Sequence, residues 1–234
     1  RSGDVQINPH TYRPDTLDNV MLDYRYVVRA AVRDMDMSNY VPFKDWLDYP
    51  IMAALSCRGC TQSCVICGGS SAAFKKMHGR ERPAFRDPLM LAADVRRISR
   101  MSRGPVFILG DLRQAGRDYA QRFFEAMRGF DGPIITEIFS PASREFLSDM
   151  AKAMPNFTLE VSLESHDPVV RKAFGKNYAN EPMERTLQDA LDVGANRLDV
   201  FFMSGLPQQT ADSVLGTVDY CEDLIKRFGN DGRL

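Results

Sequence analysis

No run of about 18 apolar residues occurs in this 234-residue chain, which leaves no stretch able to cross a membrane as a helix. The N-terminus also lacks the charged-then-apolar segment of a secretion signal. Charge of one sign is missing too. Thirty Lys and Arg against 31 Asp and Glu leave a net charge of −1, so electrostatics make no case for nucleic acid as a dominant partner. Gly68-Gly69-Ser70 hints at a phosphate cradle, but neither G-x-G-x-x-G nor G-x-x-x-x-G-K-[ST] is present. Cysteine is scarce, at five residues, and four of these crowd into one loop. That distribution suits a reducing compartment rather than a disulfide scaffold, and a cytoplasmic protein with no membrane partner is expected.

What remains is an ordinary globular composition, 44% hydrophobic and 26% charged, organised around S-C-R-G-C-T-Q-S-C-V-I-C-G-G, residues 56–69. Cys60, Cys64 and Cys67 stand in the spacing C-x3-C-x2-C. Three thiolates so close, separated by small and polar residues, can wrap one face of an iron–sulfur cluster, whose irons select soft ligands. Three ligands on four irons leave one iron open to a substrate or cosubstrate. A zinc ribbon would need its two knuckles about 15–20 residues apart, whereas only Thr61, Gln62 and Ser63 separate Cys60 from Cys64. A bacterial ferredoxin run has a different order and a following proline. Cys57 keeps a four-thiolate site conceivable.

Around this loop the chain repeats one unit of apolar strand, loop and helix. Strands are expected at 51–56, 105–110, 133–139, 158–164 and 197–203. Helices are expected from Pro88 to about Met101 with Asp87 as cap, from Arg117 to Arg128, after Ser140-Pro141, near Val169–Phe174, from Pro182 to Val193 and from Ala211 to Phe228. Gly229 is a plausible cap for the last. Such alternation implies a parallel sheet with right-handed crossovers, an α/β fold. Five units are too few for a closed eight-stranded barrel. Residues 1–49 are polar, with a possible helix over Leu17–Met35, and read as an N-terminal extension or connector to the core at 50–234.

The cysteine wording resembles that of the radical S-adenosylmethionine (SAM) enzymes, whose C-x3-C-x-φ-C signature has an apolar φ, here Ile66. It is most similar to the subgroup that often carries a cobalamin-binding domain, although no D-x-H-x-x-G cobalamin-ligating pattern occurs here. The resemblance spans about residues 50–228. It implies a partial (β/α)6-type TIM barrel, apparently truncated after the fifth unit, and a [4Fe–4S] cluster on Cys60, Cys64 and Cys67. SAM would bind at the open iron. The implied reaction is reductive cleavage of SAM to a 5′-deoxyadenosyl radical that abstracts hydrogen from an unknown small or macromolecular substrate, an oxidoreductase or transferase chemistry. The electron would come from a donor such as flavodoxin or ferredoxin.

The same resemblance assigns SAM contacts to the C-terminal ends of the strands. Asp111, in L-G-D, would accept from the amino group. V-S-L-E-S-H-D-P-V-V-R-K would place Glu164 or Ser165 at the ribose hydroxyls and Arg171, a planar fork, at the carboxylate. Gly205, in G-L-P-Q-Q-T, would lie against the adenine opposite Ile66. Lys75, Lys76, His78, Arg80 and Arg82 form a basic run, read as a solvated loop or a contact for an anionic substrate or reductant. Two rivals stay open. One is a cobalamin-dependent methyl transfer, with cobalamin held by a domain outside this chain. The other is an iron–sulfur electron-transfer or metal-stapled structural protein.

Overall fold

A computed structural model describes residues 3, 5, 13–35, 46, 48–229 and 232–234. Its elements follow in chain order as α1 (Tyr24–Asp34), β1 (Met52–Leu55), β2 (Cys57–Arg58), α2 (Ser71–His78), β3 (Ala84–Phe85), α3 (Pro88–Ser99) and β4 (Val106–Leu109). A 3-10 turn (Leu112–Ala115) leads to α4 (Arg117–Met127), β5 (Ile134–Ile138), α5 (Arg144–Ala153), β6 (Phe157–Glu164), α6 (Pro168–Phe174), α7 (Asn180–Asp192), β7 (Arg197–Phe202) and α8 (Ala211–Phe228). Strands β1, β4, β5, β6 and β7 pair in that order, all parallel, as the alternating pattern requires. The five expected units are therefore present, as the arc of a partial barrel.

Period-two burial explains how the sheet is layered. Val106 and Ile108 of β4, and Leu159 and Val161 of β6, are buried in the main core. There they meet Leu91 and Val95 of α3, Phe123 and Met127 of α4, Leu147 and Met150 of α5, and Met183 and Leu187 of α7. Each such large apolar side chain contributes about 1.5–3 kcal/mol on burial. Alternate strand residues face the other way, into the concave side of the arc, and register aligns Glu137 of β5 with Glu160 of β6 and Asp199 of β7.

Both edges of the sheet are covered. Among the described residues the outer edge of β1 meets no strand; the Tyr24 hydroxyl donates to Ala53 O at 2.9 Å and accepts from Ala53 N at 2.8 Å. One phenol thus satisfies both peptide groups that an edge strand leaves open. At the other edge, Leu198 N donates to Arg233 O at 2.7 Å.

Several boundaries differ from expectation for local reasons. The first helix starts at Tyr24 rather than Leu17, because Leu17 N bonds Phe85 O and Asp18 Oδ1 accepts from Asp87 N, drawing that stretch onto β3 and α3. Its end falls where expected, at Asp34 with Met35 as the cap. The helix after Ser140-Pro141 starts at Arg144, capped by Ser143, since the carbonyls of Ser140 and Pro141 are occupied by Arg113. The basic run read as a loop is partly helix α2, capped by Ser70 Oγ accepting from Ala73 N.

Candidate functional site

The cysteine loop leaves β1 through β2 and is held chiefly by its backbone. Val65 N donates to Phe174 O at 2.9 Å, Ser71 N to Gln62 O at 2.8 Å and Cys67 N to Cys64 O at 3.2 Å. Gly175, at the end of α6, sits directly behind it: an added Cβ would come within 2.9 Å of Ser63 O, and φ is +117°. Only glycine permits that approach with that conformation. The thiols themselves are left open. Cys64 is buried, Cys60 half-buried and Cys67 exposed.

All three line one cavity of about 340 Å³. Gln62, Ile66, Phe139, Ser162, Glu164, Phe174, Lys176 and Met203 complete its wall. These residues come from the loops after β1, β5, β6 and β7, so the cavity sits at the C-terminal mouth of the arc, where parallel barrels carry their chemistry. The volume is within the range of small-molecule sites, about 300–1,000 Å³.

Opposite the thiols lies a buried ion pair. Lys176 Nζ bonds Glu164 Oε1 at 2.8 Å and Ser162 O at 2.5 Å, and stands 5.5 Å from the centre of the Phe139 ring. Glu164 is held with φ +68° at an irregularity in the β6–β7 register. A non-glycine residue in that region stores strain of about 1–3 kcal/mol, which accumulates at functional sites.

Burial raises the pKa of the Cys60 and Cys64 thiols above the ordinary value. Without a cation beside them they hold their protons; a bound metal centre removes them. Cys57 differs. Burial pushes its thiol up to about 11, its Sγ lies 3.4 Å from Gly59 O, and it does not line the cavity. Among the described residues, no three His, Cys, Asp or Glu side chains are gathered as a single ion requires. Three separated thiols on one open cavity fit a multi-iron cluster better than a zinc staple.

Of the expected site residues, the structure thus brings together Cys60, Cys64, Cys67, Ile66 and Glu164. The other four lie elsewhere. Arg171 is fully buried, and its guanidinium donates to Ser165 O at 2.6 Å, Tyr178 O at 3.1 Å from Nε and Asn180 Oδ1 at 2.8 Å. Its fork is spent on the loop between β6 and α7, and it does not line the cavity. Ser165 is likewise buried, its Oγ accepting from Asp167 N. Asp111 accepts from Arg113 N, Nε and Nη2 and from Phe139 N, which fills the carboxylate and ties the end of β4 to that of β5. Gly205 is exposed, an added Cβ there would meet nothing within 4 Å among the described residues, and Met203, two residues earlier, lines the cavity.

Lys176 was missed by sequence reasoning. It follows a helix-ending glycine, an unremarkable place, and only the return of the chain over Ser162 aims its ammonium into the cavity. Below the mouth, on the concave side, burial and the neighbouring Glu137 and Asp199 push Glu160 up to about 7, while Glu137 accepts from Gly110 N at 2.6 Å.

The family described as the Radical SAM superfamily matches residues 55–221. No curated protein matches the chain. Among solved structures it is similar to the radical SAM methyltransferase TsrM from Kitasatospora setae, with tryptophan substrate and a SAM analogue bound. That match has 16% identity and a TM-score of 0.60, over 74% of this chain and 34% of that one. Coproporphyrinogen III oxidase (HemN) from Escherichia coli matches at 17% identity and TM-score 0.53, over 75% and 42% of the two chains. The cobalamin-dependent SAM radical enzyme OxsB matches at 14% and 0.53, over 72% and 26%. The chain spans about a third of the length of the first of these.

Proposed function

This chain belongs to the radical SAM superfamily, and from that premise we propose that its cavity is the cofactor chamber of a radical SAM enzyme. Cys60, Cys64 and Cys67 would hold a [4Fe–4S] cluster, with SAM beside it. When bound, the two together supply a 5′-deoxyadenosyl radical that takes hydrogen from substrate. Every other task falls to the chain. The three thiols bind at one wall, and the lining of Ile66, Phe139, Phe174 and Met203 excludes water. Lys176 offers the cavity's one lysine or arginine side chain, suited to the SAM carboxylate, and Glu164 offers acceptors for ribose hydroxyls.

The observation that carries this reading is the meeting of three thiols and a buried Lys–Glu pair on one cavity, from segments about a hundred residues apart in sequence. A four-thiolate electron-transfer site would need Cys57 in the set, and its thiol lies outside the cavity. Anaerobic reconstitution with iron and sulfide, followed by SAM and dithionite, tests the reading. Release of 5′-deoxyadenosine and methionine supports it, whereas a reduced cluster that leaves SAM intact would refute it.

A further inference from the structure

The end of β4 also holds the cysteine loop. Gly110 has φ +98°, and an added Cβ there would come within 2.7 Å of Ser56 Oγ and 2.8 Å of Cys57 Sγ, so the strand end packs directly against the start of the loop. Four residues on, in the 3-10 turn, Gln114 reaches into the loop itself. Its Oε1 accepts from Thr61 N at 2.7 Å and from Thr61 Oγ1 at 3.1 Å. Because a backbone N–H can only donate, the oxygen end of the amide is fixed on Thr61. The Nε2 end is buried and has no partner among the described residues. An amide kept for stability alone would use both ends; this one spends its acceptor twice on the residue after Cys60.

The position of Thr61 bears on the thiol beside it. Gln62 N donates to Cys60 Sγ at 3.3 Å, and among the described residues no other backbone N–H bonds a cavity thiol. Gln62 is pinned from both sides. Upstream, Thr61 N is held by Gln114; downstream, Gln62 O accepts from Ser71 N at 2.8 Å. Gln114 has a firm footing of its own. Its N donates to Asp111 O at 3.0 Å, and the Asp111 carboxylate is tied to Phe139 N at the end of β5. One side chain thus carries the position of two strand ends to an N–H aimed at a sulfur. Hydrogen bonds to ligand sulfurs are among the levers that set the potential of an iron–sulfur cluster. Such a bond strengthens as the sulfur gains negative charge, so it favours the reduced form.

We propose that Gln114 is a positioning residue: by holding Thr61 it aims the Gln62 N–H at Cys60 Sγ, and this bond raises the reduction potential of the cluster. The proposal rests on the cluster reading above. Gln114 does not line the cavity, so its effect passes through the backbone rather than through contact with cofactor or substrate.

Gln114→Met keeps an unbranched, neutral side chain and removes the acceptor; Gln114→Asn keeps the amide but is one methylene short of Thr61. Two readouts are needed. In the metal-free protein, hydrogen exchange at the Thr61 amide, followed by nuclear magnetic resonance, should speed up at least tenfold in Gln114→Met. In the reconstituted protein, a redox titration read by electron paramagnetic resonance should show the reduction equilibrium weakened at least threefold, a fall of about 30 mV for one electron. Gln114→Asn should move the potential in the same direction, and it decides the matter alone where Gln114→Met takes up no iron. Faster exchange with an unchanged potential would mean that Gln114 only braces the loop, and would overturn the proposal. So would exchange at Thr61 that keeps its wild-type rate, a potential unchanged in Gln114→Asn, or a potential raised in either variant. A wild-type chain that takes up no cluster would defeat the underlying reading and the proposal with it, and iron content shows that case before any titration.

Discussion

The two walls of the cavity are built on opposite principles. On the cysteine side the backbone is held by hydrogen bonds, while the three thiols line the cavity with only a backbone N–H, Gln62 N to Cys60 Sγ at 3.3 Å, bonded to them among the described residues. On the β6–α6 side nearly every polar group is spent. Arg171 is saturated by carbonyls, Ser165 and Asp167 bond each other, and Lys176 is locked to Glu164. The first wall presents thiols to the cavity; the second is a hydrogen-bonded scaffold that presents one ammonium and one carboxylate. Substitutions on the two sides should therefore fail in different ways.

The largest effect is expected at Arg171. Removing the guanidinium strands buried carbonyls of Ser165 and Tyr178 and empties a large volume, so Arg171→Ala should cost about 3–5 kcal/mol of stability. At about 2–4 °C per kcal/mol for a chain of this size, the thermal midpoint should fall by roughly 10 °C. Calorimetry of the metal-free protein checks this, and a fall of a degree or two would show that the loop does not depend on Arg171. Cys60→Ala in the same assay should change little, since its thiol packs against a cavity.

Next comes Lys176. Lys176→Ala should lower SAM affinity by roughly ten- to hundredfold, the scale of one charge-assisted hydrogen bond, measured by titrating the reconstituted protein. Arg171→Lys should bind SAM with wild-type affinity in so far as it folds. The opposite order would return the carboxylate contact to Arg171.

The smallest effect concerns Glu160. Its folded pKa of about 7 lies above the ordinary carboxylate value of 4.5, so the fold favours the protonated form. Stability is then unaffected at low pH and is lost as pH rises from about 4.5 through about 7. Glu160→Gln should raise the thermal midpoint by a few degrees at pH 8 and leave it unchanged near pH 4.5. An equal rise at both values would point to packing rather than charge.

The comparison of the two walls also explains what could be read in the sequence. The five strands and most helices were legible because burial alternates with period two in the strands and because caps such as Asp87 carry their own signal. That Cys60, Cys64 and Cys67 share one cavity was legible because their loop is defined by local spacing. The second wall was not. Arg171 and Lys176 lie five residues apart, on either side of Gly175, and only the direction in which the chain turns there decides which one reaches the cavity. Asp111 is engaged in a related way: Arg113, two residues on, folds back onto its carboxylate. Local pattern does not reveal whether a charged side chain has already been partnered by the fold.

Three thiols, and no fourth, line the cavity among the described residues. Anaerobic reconstitution of Cys57→Ala beside Cys60→Ala, Cys64→Ala and Cys67→Ala, read by iron content and visible absorption, tests it most directly. A full cluster is expected in Cys57→Ala, with loss of the cluster's absorption in each of the other three. Loss of the cluster in Cys57→Ala, or its retention in any of the others, would contradict it.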